Sequence, residues 1–243
     1  QPTLPGVDTL QVRDLTLLTG ANLNLSGRNL TIVGGTLAGL GGLTNLSFGG
    51  TLRLVGNARV RGVFNAPLLV QGGGIVTLAD SARAPSLTVS GTSTVFSLDG
   101  HKLVVTATGT AVNVVTDAIL RMNNAADTLD VAGNLYIQGS AAPHAGNLSA
   151  GTMIIRGNII DGTRYEADGT HRTVFAGVVG SIATQTVNSF DINARPANTL
   201  QDVVIQGTSA WSHCSSNLRV RGSFTVSTPV AVVTCTGYTM LVD

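Results

Sequence analysis

The stretch Asn217-Leu-Arg-Val-Arg-Gly-Ser-Phe-Thr-Val226 decides the fold of this 243-residue chain. Leu218 and Val220 alternate with two arginines, a glycine interrupts the run, and Phe224 and Val226 resume the alternation. Alternation with a period of two is typical of a β-strand with one buried face, and a glycine between two such runs indicates a corner. Two short strands cannot bury an apolar face alone, so the stretch predicts further copies stacked against it.

Copies of this unit recur along the chain, each with a leading leucine in a pattern of the type Asn/Thr-Leu-x-Val-x-Gly. The steps between successive leading leucines are 23, 22, 19, 42, 19 and 70 residues, which read as one, one, one, two, one and about three repeats of roughly 20–23 residues. A fixed period of this length, made of strand patterns, predicts a β-solenoid. The leading leucines are Leu23, Leu46, Leu68, Leu87, Leu129, Leu148 and Leu218.

We therefore expect an all-β fold, a right-handed parallel β-helix (β-solenoid) of about ten coils of roughly 20–23 residues. The handedness rests on the general preference for right-handed crossovers. Only 11% of the residues are charged, Glu166 is the only glutamate and Lys102 is the only lysine. Because amphipathic surface helices normally carry these residues, we expect almost no helix. Nothing between residues 1 and 243 resembles a linker, which predicts a single solenoid domain.

The charge balance and composition argue against two classes of partner. The formal net charge is +1 without a cluster of basic residues, and only 4% of the residues are aromatic. Nucleic-acid binders normally show a basic patch, often with aromatic side chains that stack on bases, so we expect no nucleic-acid partner. No run approaches the ~18 apolar residues of a membrane-spanning helix, so we expect no membrane span. We also expect no cofactor.

Cys214 and Cys235 are separated by one repeat length. Neighbouring coils lie about 4.8 Å apart, and a disulfide tolerates Cα separations of ~4.4–6.8 Å. Both a disulfide between neighbouring coils and a pair of buried free thiols fit this spacing. A zinc site is not favoured because His213 is the only nearby side chain that could complete one, and we expect no bound metal.

The repeat pattern is lost between about residues 156 and 195. Residues 161–172 form the most polar run of the chain, and we expect them to leave the stack as a loop or surface hairpin, because solenoids carry insertions in loops. We interpret the run as a solvated surface segment, with a local cluster of reactive side chains as the alternative. The residues concerned are Asp161, Arg164, Tyr165, Glu166, Asp168, His171 and Arg172.

The stacked Asn/Thr-Leu-x-Val-x-Gly units, with corners rich in Thr, Ser and Gly, resemble the parallel β-helix domains of bacterial surface and secreted proteins. These domains include autotransporter passengers and filamentous-haemagglutinin-like adhesins. The resemblance covers nearly the whole chain, but its motif is architectural and transfers no functional residue. It implies an extracellular or cell-surface protein with an adhesive or structural role, and a surface glycan or another cell-surface molecule as partner.

An alternative class, similar to pectate lyases and polygalacturonases, is the polysaccharide-active β-helix enzyme. Such lyases and hydrolases need several carboxylates on one face, which hold Ca²⁺ or act as acid and base. Asp80, Asp99 and Asp117 follow one another at nearly equal steps, each close to one repeat length, and are the best candidates. Each follows a strand in a turn-like context, where Asp is favoured because it bonds to the local backbone. We interpret them as turn residues and expect no enzymatic activity.

Two further patterns concern the surface and the corners. Thr-x-Thr runs on a β-solenoid are typical of ice-binding proteins, but here they do not recur in every coil, and Thr is also a common strand residue. The asparagines at the start of several units, Asn22, Asn45, Asn147 and Asn217, are expected to form a ladder of stacked amides. The Thr-x-Thr runs are Thr92/Thr94, Thr106/Thr108/Thr110, Thr184/Thr186 and Thr234/Thr236.

The chain closes on the apolar run Gly237-Tyr-Thr-Met-Leu-Val242. A solenoid that stops on an apolar strand without a polar cap leaves that strand open to pairing. We therefore expect either end-to-end association of subunits into a filament or continuation of the stack in a longer chain.

Overall fold

A computed structural model of the chain describes the backbone of residues 9–44, 50–138, 146–161, 164–177, 184–187, 199–206, 210–212, 217–227, 233–234 and 237–243. Within these residues the chain forms 26 β-strands and no helix. Every pairing between two of these strands is parallel. The predicted all-β parallel β-solenoid is therefore confirmed. None of the described residues belongs to a helix that could cross a membrane.

Most of the strands are short, and β5 and β9 are the longest. In chain order they are β1 (Thr9–Val12), β2 (Leu15–Leu17), β3 (Asn22–Asn24), β4 (Asn29–Val33), β5 (Thr36–Thr44), β6 (Leu52–Val55), β7 (Ala58–Phe64), β8 (Leu68–Gln71), β9 (Gly74–Ala84), β10 (Leu87–Ser90), β11 (Thr94–Ser97), β12 (Lys102–Val105) and β13 (Thr110–Val115). The remaining strands are β14 (Ile119–Arg121), β15 (Thr128–Val131), β16 (Asn134–Ile137), β17 (Thr152–Ile155), β18 (Ile159–Asp161), β19 (Arg172–Phe175), β20 (Thr184–Thr186), β21 (Asp202–Ile205), β22 (Ala210–Ser212), β23 (Leu218–Val220), β24 (Phe224–Val226), β25 (Val233–Thr234) and β26 (Met240–Val242).

The strands stack on three faces. The first face is an eight-stranded sheet in the order β1-β4-β6-β8-β10-β13-β16-β18. The largest sheet bends over two more faces, because β9 pairs with β11 through Gly74–Thr77 and with β12 through Ala82–Ala84. We call the face that holds β2, the first part of β9, β11 and β14 the second face. The third face holds β3, the end of β9, β12, β15, β17, β19, β21 and β24.

The eight-stranded sheet corresponds to about eight turns, which is roughly consistent with the expected ten coils. Isolated bridges continue the second face through Leu148 and Ala167 where no regular strand forms. The number of residues per coil varies along the first face. The paired residues Leu52 and Leu68 are closer in sequence than the paired residues Leu87 and Val112. The right-handed sense of the winding stays a prediction.

Inward-facing side chains form one continuous apolar core. On the first face the paired residues Leu30, Leu52, Leu68, Leu87 and Val112 are at most 1% exposed. They alternate with outward residues, as expected for strands whose side chains point to opposite faces. Burial of each such side chain contributes roughly 1.5–3 kcal/mol, and neighbouring coils supply the contacts.

The leading leucines of the sequence repeat lie on different faces, which the sequence analysis did not anticipate. Leu68 and Leu87 are in register on the first face, whereas Leu23 and Leu129 lie on the third face. Two more leading leucines lie on the second face. Leu148 belongs to it through isolated bridges, and Leu218 lies in β23, whose Val220 bridges to Leu200. Leu46 lies outside the described residues. The motif therefore describes a strand that suits any face, and its spacing does not mark one position of the coil.

The predicted glycine corners are confirmed. Gly222 separates β23 on the second face from β24 on the third, and a Cβ at this position would lie 2.6 Å from Asp202 Oδ1. Gly72, Gly73 and Gly74 turn the chain from the first face to the second with φ between +76° and +83°. Such φ values are unfavourable for residues with a side chain, so glycine is required at this corner.

The predicted excursion around residues 156–195 is wrong for the part that the structure describes. Ile159 pairs with Leu135, Ala167 bridges to Leu148, and β19 runs in register with β17 and β21. The polar run stays in the stack because its inward polar groups find hydrogen-bond partners inside the solenoid, as the site geometry below shows. Residues 178–183 and 188–198 lie outside the described residues.

Candidate functional site

The predicted polar segment spans the coil between β18 and β19. Asp161 ends β18 in register with Tyr136, and the Arg164 amide donates to the carbonyl oxygen of Ile137 at 3.3 Å. Arg172 opens β19 and is exposed. The ladder therefore sets the positions of Asp161, Arg164 and Arg172 against the coil before them.

Tyr165 and His171 are fully buried, so their assignment to a surface loop is wrong. The Tyr165 hydroxyl oxygen lies 2.7 Å from Thr173 Oγ1 and 3.2 Å from His171 Nε2. His171 Nδ1 donates to the carbonyl oxygen of Ala150 at 2.8 Å. Three side chains and one backbone carbonyl from two coils therefore form a polar network inside an apolar core. Hydrogen bonding offsets the cost of burying these groups.

One arrangement of protons satisfies the whole network. A carbonyl oxygen only accepts, so His171 Nδ1 carries the hydrogen, and Nε2 of the neutral ring accepts from the Tyr165 hydroxyl. Thr173 then donates to the tyrosine oxygen. Burial lowers the pKa of His171, against the opposing effects of the Ala150 hydrogen bond and of Asp168. Burial also raises the pKa of Tyr165. The tyrosine hydroxyl and the His171 ring are therefore neutral near pH 7, and the bond from His171 to Ala150 ties this coil to the preceding one.

Glu166 and Asp168 do not form a joint site. Glu166 is 9% exposed, and its Oε2 atom has no hydrogen-bond partner among the described residues. Burial raises the pKa of Glu166, Arg221 opposes this shift and Asp168 adds to it. Asp168 instead accepts the Gly146 amide through Oδ2 at 3.1 Å. Asp168 therefore bonds to the backbone of the preceding coil, whereas Glu166 bridges to Thr199 through its backbone.

The candidate carboxylates of an enzymatic site are split between two edges of the solenoid. Asp80 and Asp99 lie where the second face meets the third, whereas Asp117 lies between β13 on the first face and β14 on the second. Asp99 and Asp117 have φ of +52° and +59°, and Asp80 Oδ1 accepts the Ser81 amide at 2.7 Å. Asp tolerates the left-handed region better than most residues, so these geometries support their interpretation as turn residues.

The expected ladder of stacked asparagine amides does not form from the described members. Asn22 lies on the third face, Asn147 accepts Arg121 Nε at 3.3 Å, and Asn217 accepts the Thr239 amide at 2.8 Å beside the second face. Asn45 lies outside the described residues. Asparagines bridge neighbouring coils in a different way, because Asn134 Oδ1 accepts the Asn158 amide at 2.9 Å. The same side-chain-to-backbone bond recurs at Asn29 and Asn57.

The described Thr-x-Thr residues do not build one flat array. Thr94 is buried on the second face, Thr106 follows a strand of the third face, and Thr110 is exposed on the first face. Cys214, Cys235 and His213 lie outside the described residues, so the disulfide stays a prediction. Within the described ranges, no three His, Cys, Asp or Glu side chains come together in a group that could hold a metal ion.

A surface cleft of about 660 Å³ opens on the second face, across the coils of β2, β5, β7, β9 and β11. This volume falls in the range of small-molecule binding sites, which is ~300–1,000 Å³. Neighbouring strands place Thr36, Arg59 and Thr77 at the same position of successive coils. The lining includes Arg13, Asp14, Thr36, Arg59, Thr77 and Asp99.

Arg59 and Arg61 are two cations on the outer surface of β7. They alternate with buried Ala58 and Val60 on β7, so both side chains leave the outer surface of the second face. No described carboxylate lies within ion-pair distance of either guanidinium. On the third face, by contrast, Lys102 and Arg156 both pair with Asp130.

Sequence reasoning missed this cationic surface because it used the net charge of the whole chain. The signal is local: residues 15–79 contain Arg28, Arg53, Arg59 and Arg61 and no Asp or Glu. Period two on the run Ala58-Arg-Val-Arg61 would have placed two of these arginines on one outer surface.

The fold and the cleft define the class of protein: a parallel β-solenoid with a polar cleft on one outer face. Comparison with protein-family models, curated proteins and solved structures gave no match. The resemblance to bacterial surface proteins thus concerns the solenoid architecture.

Proposed function

We propose that this chain is a non-enzymatic, extracellular or cell-surface β-solenoid with an adhesive or structural role. The observation that carries this proposal is the placement of Asp80, Asp99 and Asp117 at two different edges, where they shape corners. A lyase or hydrolase needs its carboxylates to converge on one bound sugar. The stacked coils instead offer three outer faces on a rigid core, which suits recognition by surface contact.

Adhesion and cleavage can be tested on the same protein. Beads coated with the chain should be retained on surfaces that carry extracellular polysaccharide, and soluble polysaccharide incubated with the chain should gain no new ends. Antibodies against the chain should label intact source cells or their culture medium. Polysaccharide cleavage that disappears in the Asp80→Asn, Asp99→Asn, Asp117→Asn triple variant would establish the enzyme instead.

We also propose that subunits associate end to end. β26 pairs with β23 on one side, and Tyr238, Leu241 and Val242 are exposed at this end. An unpaired strand edge beside exposed apolar side chains favours the addition of another strand. A second copy of the chain would supply that strand from its own first coil. The competing occupant is a further coil of a longer chain, and the oligomeric state of the 243-residue protein distinguishes the two.

A further inference from the structure

We propose that the second-face cleft at Arg59, together with Arg61 on the same outer surface of β7 beside the cleft, binds an acidic glycan, a sugar chain that carries carboxylate or sulfate groups. This inference rests on the proposed adhesive role and names the chemistry of its ligand. Arg59 and Arg61 would bind the anionic group, and the remaining cleft would bind the sugar hydroxyls.

The two arginines are suited to an anion because no described carboxylate pairs with them. Arg59 lies between Thr36 and Thr77 in the neighbouring strands, and Arg61 lies opposite Ala38. Between these neighbours Arg59 is exposed and Arg61 is half-buried. A guanidinium group forms two parallel hydrogen bonds with a carboxylate or sulfate, which makes such contacts strong.

The carboxylate of Asp14, which also lines the cleft, is already engaged. Asp14 Oδ1 accepts the Thr36 amide at 2.8 Å, and Asp14 Oδ2 lies 3.9 Å from Arg13 Nε. The positive charge of Arg13 is thereby balanced, and the charge of Arg59 is not. Arg59 therefore places a positive charge without a described ion-pair partner on β7, the middle coil of the cleft, and an anionic ligand group would neutralise it.

The end of the cleft at Asp99 suits neutral hydroxyls. Asp99 is exposed two coils beyond Arg59, since Ser97 just before it is in register with Thr77. A carboxylate accepts hydrogen bonds from sugar hydroxyls and repels a second anion. Ile75, which is 41% exposed, offers an apolar surface for the carbon-bound hydrogens of a sugar ring. A ligand with an acidic group at Arg59 and hydroxyls toward Asp99 fits this arrangement.

Binding can be measured by calorimetry with oligogalacturonate, its methyl ester and a sulfated heparin oligosaccharide. The variant Arg59→Gln/Arg61→Gln removes two positive charges from the second face. The control Arg83→Gln/Arg172→Gln removes two exposed positive charges from the third face. We expect the first variant to weaken binding by about tenfold or more, because each charge-assisted contact is worth about a factor of ten. The second variant should bind like the wild type, and the methyl ester should not bind.

The outcomes separate the inference from the proposed function. Stronger binding of oligogalacturonate or of the heparin oligosaccharide identifies carboxylate or sulfate as the preferred group, and either supports the inference. Equal losses in the two variants would show non-specific attraction and overturn it. Tighter, Arg59-dependent binding of a single-stranded oligonucleotide would also overturn it. If no acidic glycan binds while coated beads still adhere, only the inference fails, whereas loss of adhesion as well removes the proposed function.

Discussion

At the scale of single residues, the fold depends on a few polar side chains that are buried with their partners. Tyr165, His171 and Thr173 place two hydroxyls and an imidazole in a core that is mostly apolar. Each group is tolerated because another member of the network meets its hydrogen-bonding requirement. Such a network makes the coil sensitive to the loss of one atom or the gain of one proton.

The protonation of His171 should make the protein less stable in acid. Burial lowers the pKa of His171 below its ordinary value of 6.5, so as pH falls the unfolded chain takes up the proton first. The free energy of unfolding contributed by the neutral ring is therefore complete above about pH 6.5 and decreases below it. Chemical denaturation of the wild type between pH 7.5 and 5 should show this decrease.

The variant His171→Gln isolates this effect. It should be less stable at pH 7 and show a flatter dependence on pH than the wild type. Glu166 acts in the opposite direction, because its raised pKa lets the folded protein take up a proton first. The difference between wild type and variant cancels that contribution. Identical slopes in wild type and His171→Gln would contradict the prediction.

Removal of the Tyr165 hydroxyl should destabilise the protein without changing the shape of the core. Tyr165→Phe leaves His171 Nε2 without its donor and leaves Thr173 without its tyrosine partner. An unsatisfied buried polar group costs about 1–3 kcal/mol. Tyr136→Phe is the matched control, because Tyr136 is half-exposed on the first face and surface changes usually stay within about 0.5 kcal/mol. Equal unfolding midpoints in urea for the two variants would refute this account.

At the scale of elements, corners decide how closely successive coils approach. Gly109, Gly133 and Gly157 stand at the corner between the third and first faces in successive coils. A Cβ at Gly133 would lie 2.3 Å from Gly109 O, and a Cβ at Gly157 would lie 2.3 Å from the carbonyl carbon of Gly133. Backbone contacts of this kind cannot move aside as a flexible side chain would. The corner therefore requires glycine because of space.

Gly133→Ala should therefore destabilise the solenoid by about 1–3 kcal/mol or more, the cost of overpacking a close contact. Gly109→Ala is the matched control, because no atom lies within 4 Å of a Cβ at this position. Thermal unfolding followed by circular dichroism at the β-sheet minimum measures both variants. A Gly109→Ala protein that melts as early as Gly133→Ala would show that the contact is not the cause.

The limits of sequence prediction also appear at this scale. The run from Leu218 to Val226 predicted strands, a glycine corner and a stack, because period two and glycine are local properties of the chain. The phase of the repeat was not predictable, since a strand with one buried face suits any of the three faces. The burial of Tyr165 and His171 was missed for a related reason. A polar residue counts as external until its partner, which comes from another coil, is known.

At the scale of the whole molecule, cations and carboxylates are distributed unevenly along the solenoid. Residues 15–79 carry four arginines and no carboxylate, although the chain as a whole has a net charge of +1. Averaging over the chain hid the surface that Arg59 and Arg61 form. The placement of this surface on the second face could not be inferred from charge alone, because it requires the register of β5, β7 and β9.

Among the described residues, β26 pairs with β23 on one side and with no strand on the other. Asp243 N donates to Val220 O, and Leu218 N donates to Thr239 O, so residues 239 and 243 bond to β23. Backbone groups alternate in direction along a parallel strand, and those of Met240 and Val242 therefore point away from β23. At the opposite end Leu10 and Leu15 are half-exposed and Leu18 is 67% exposed. Contact between these two unlike surfaces need not close, so it would extend into a filament.

We expect light scattering and electron microscopy of the 243-residue protein to show linear growth that rises with concentration. The Met240→Lys/Val242→Lys variant places two charges on the open apolar end and should shift the onset of growth to at least about tenfold higher concentration. Val63→Lys is the control, because Val63 is an exposed apolar residue on β7, away from this end. A protein that remains monomeric at high concentration, with the amides of β26 protected from hydrogen exchange, would rule out end-to-end association. In that case the open edge would be one that a further coil of the same chain covers.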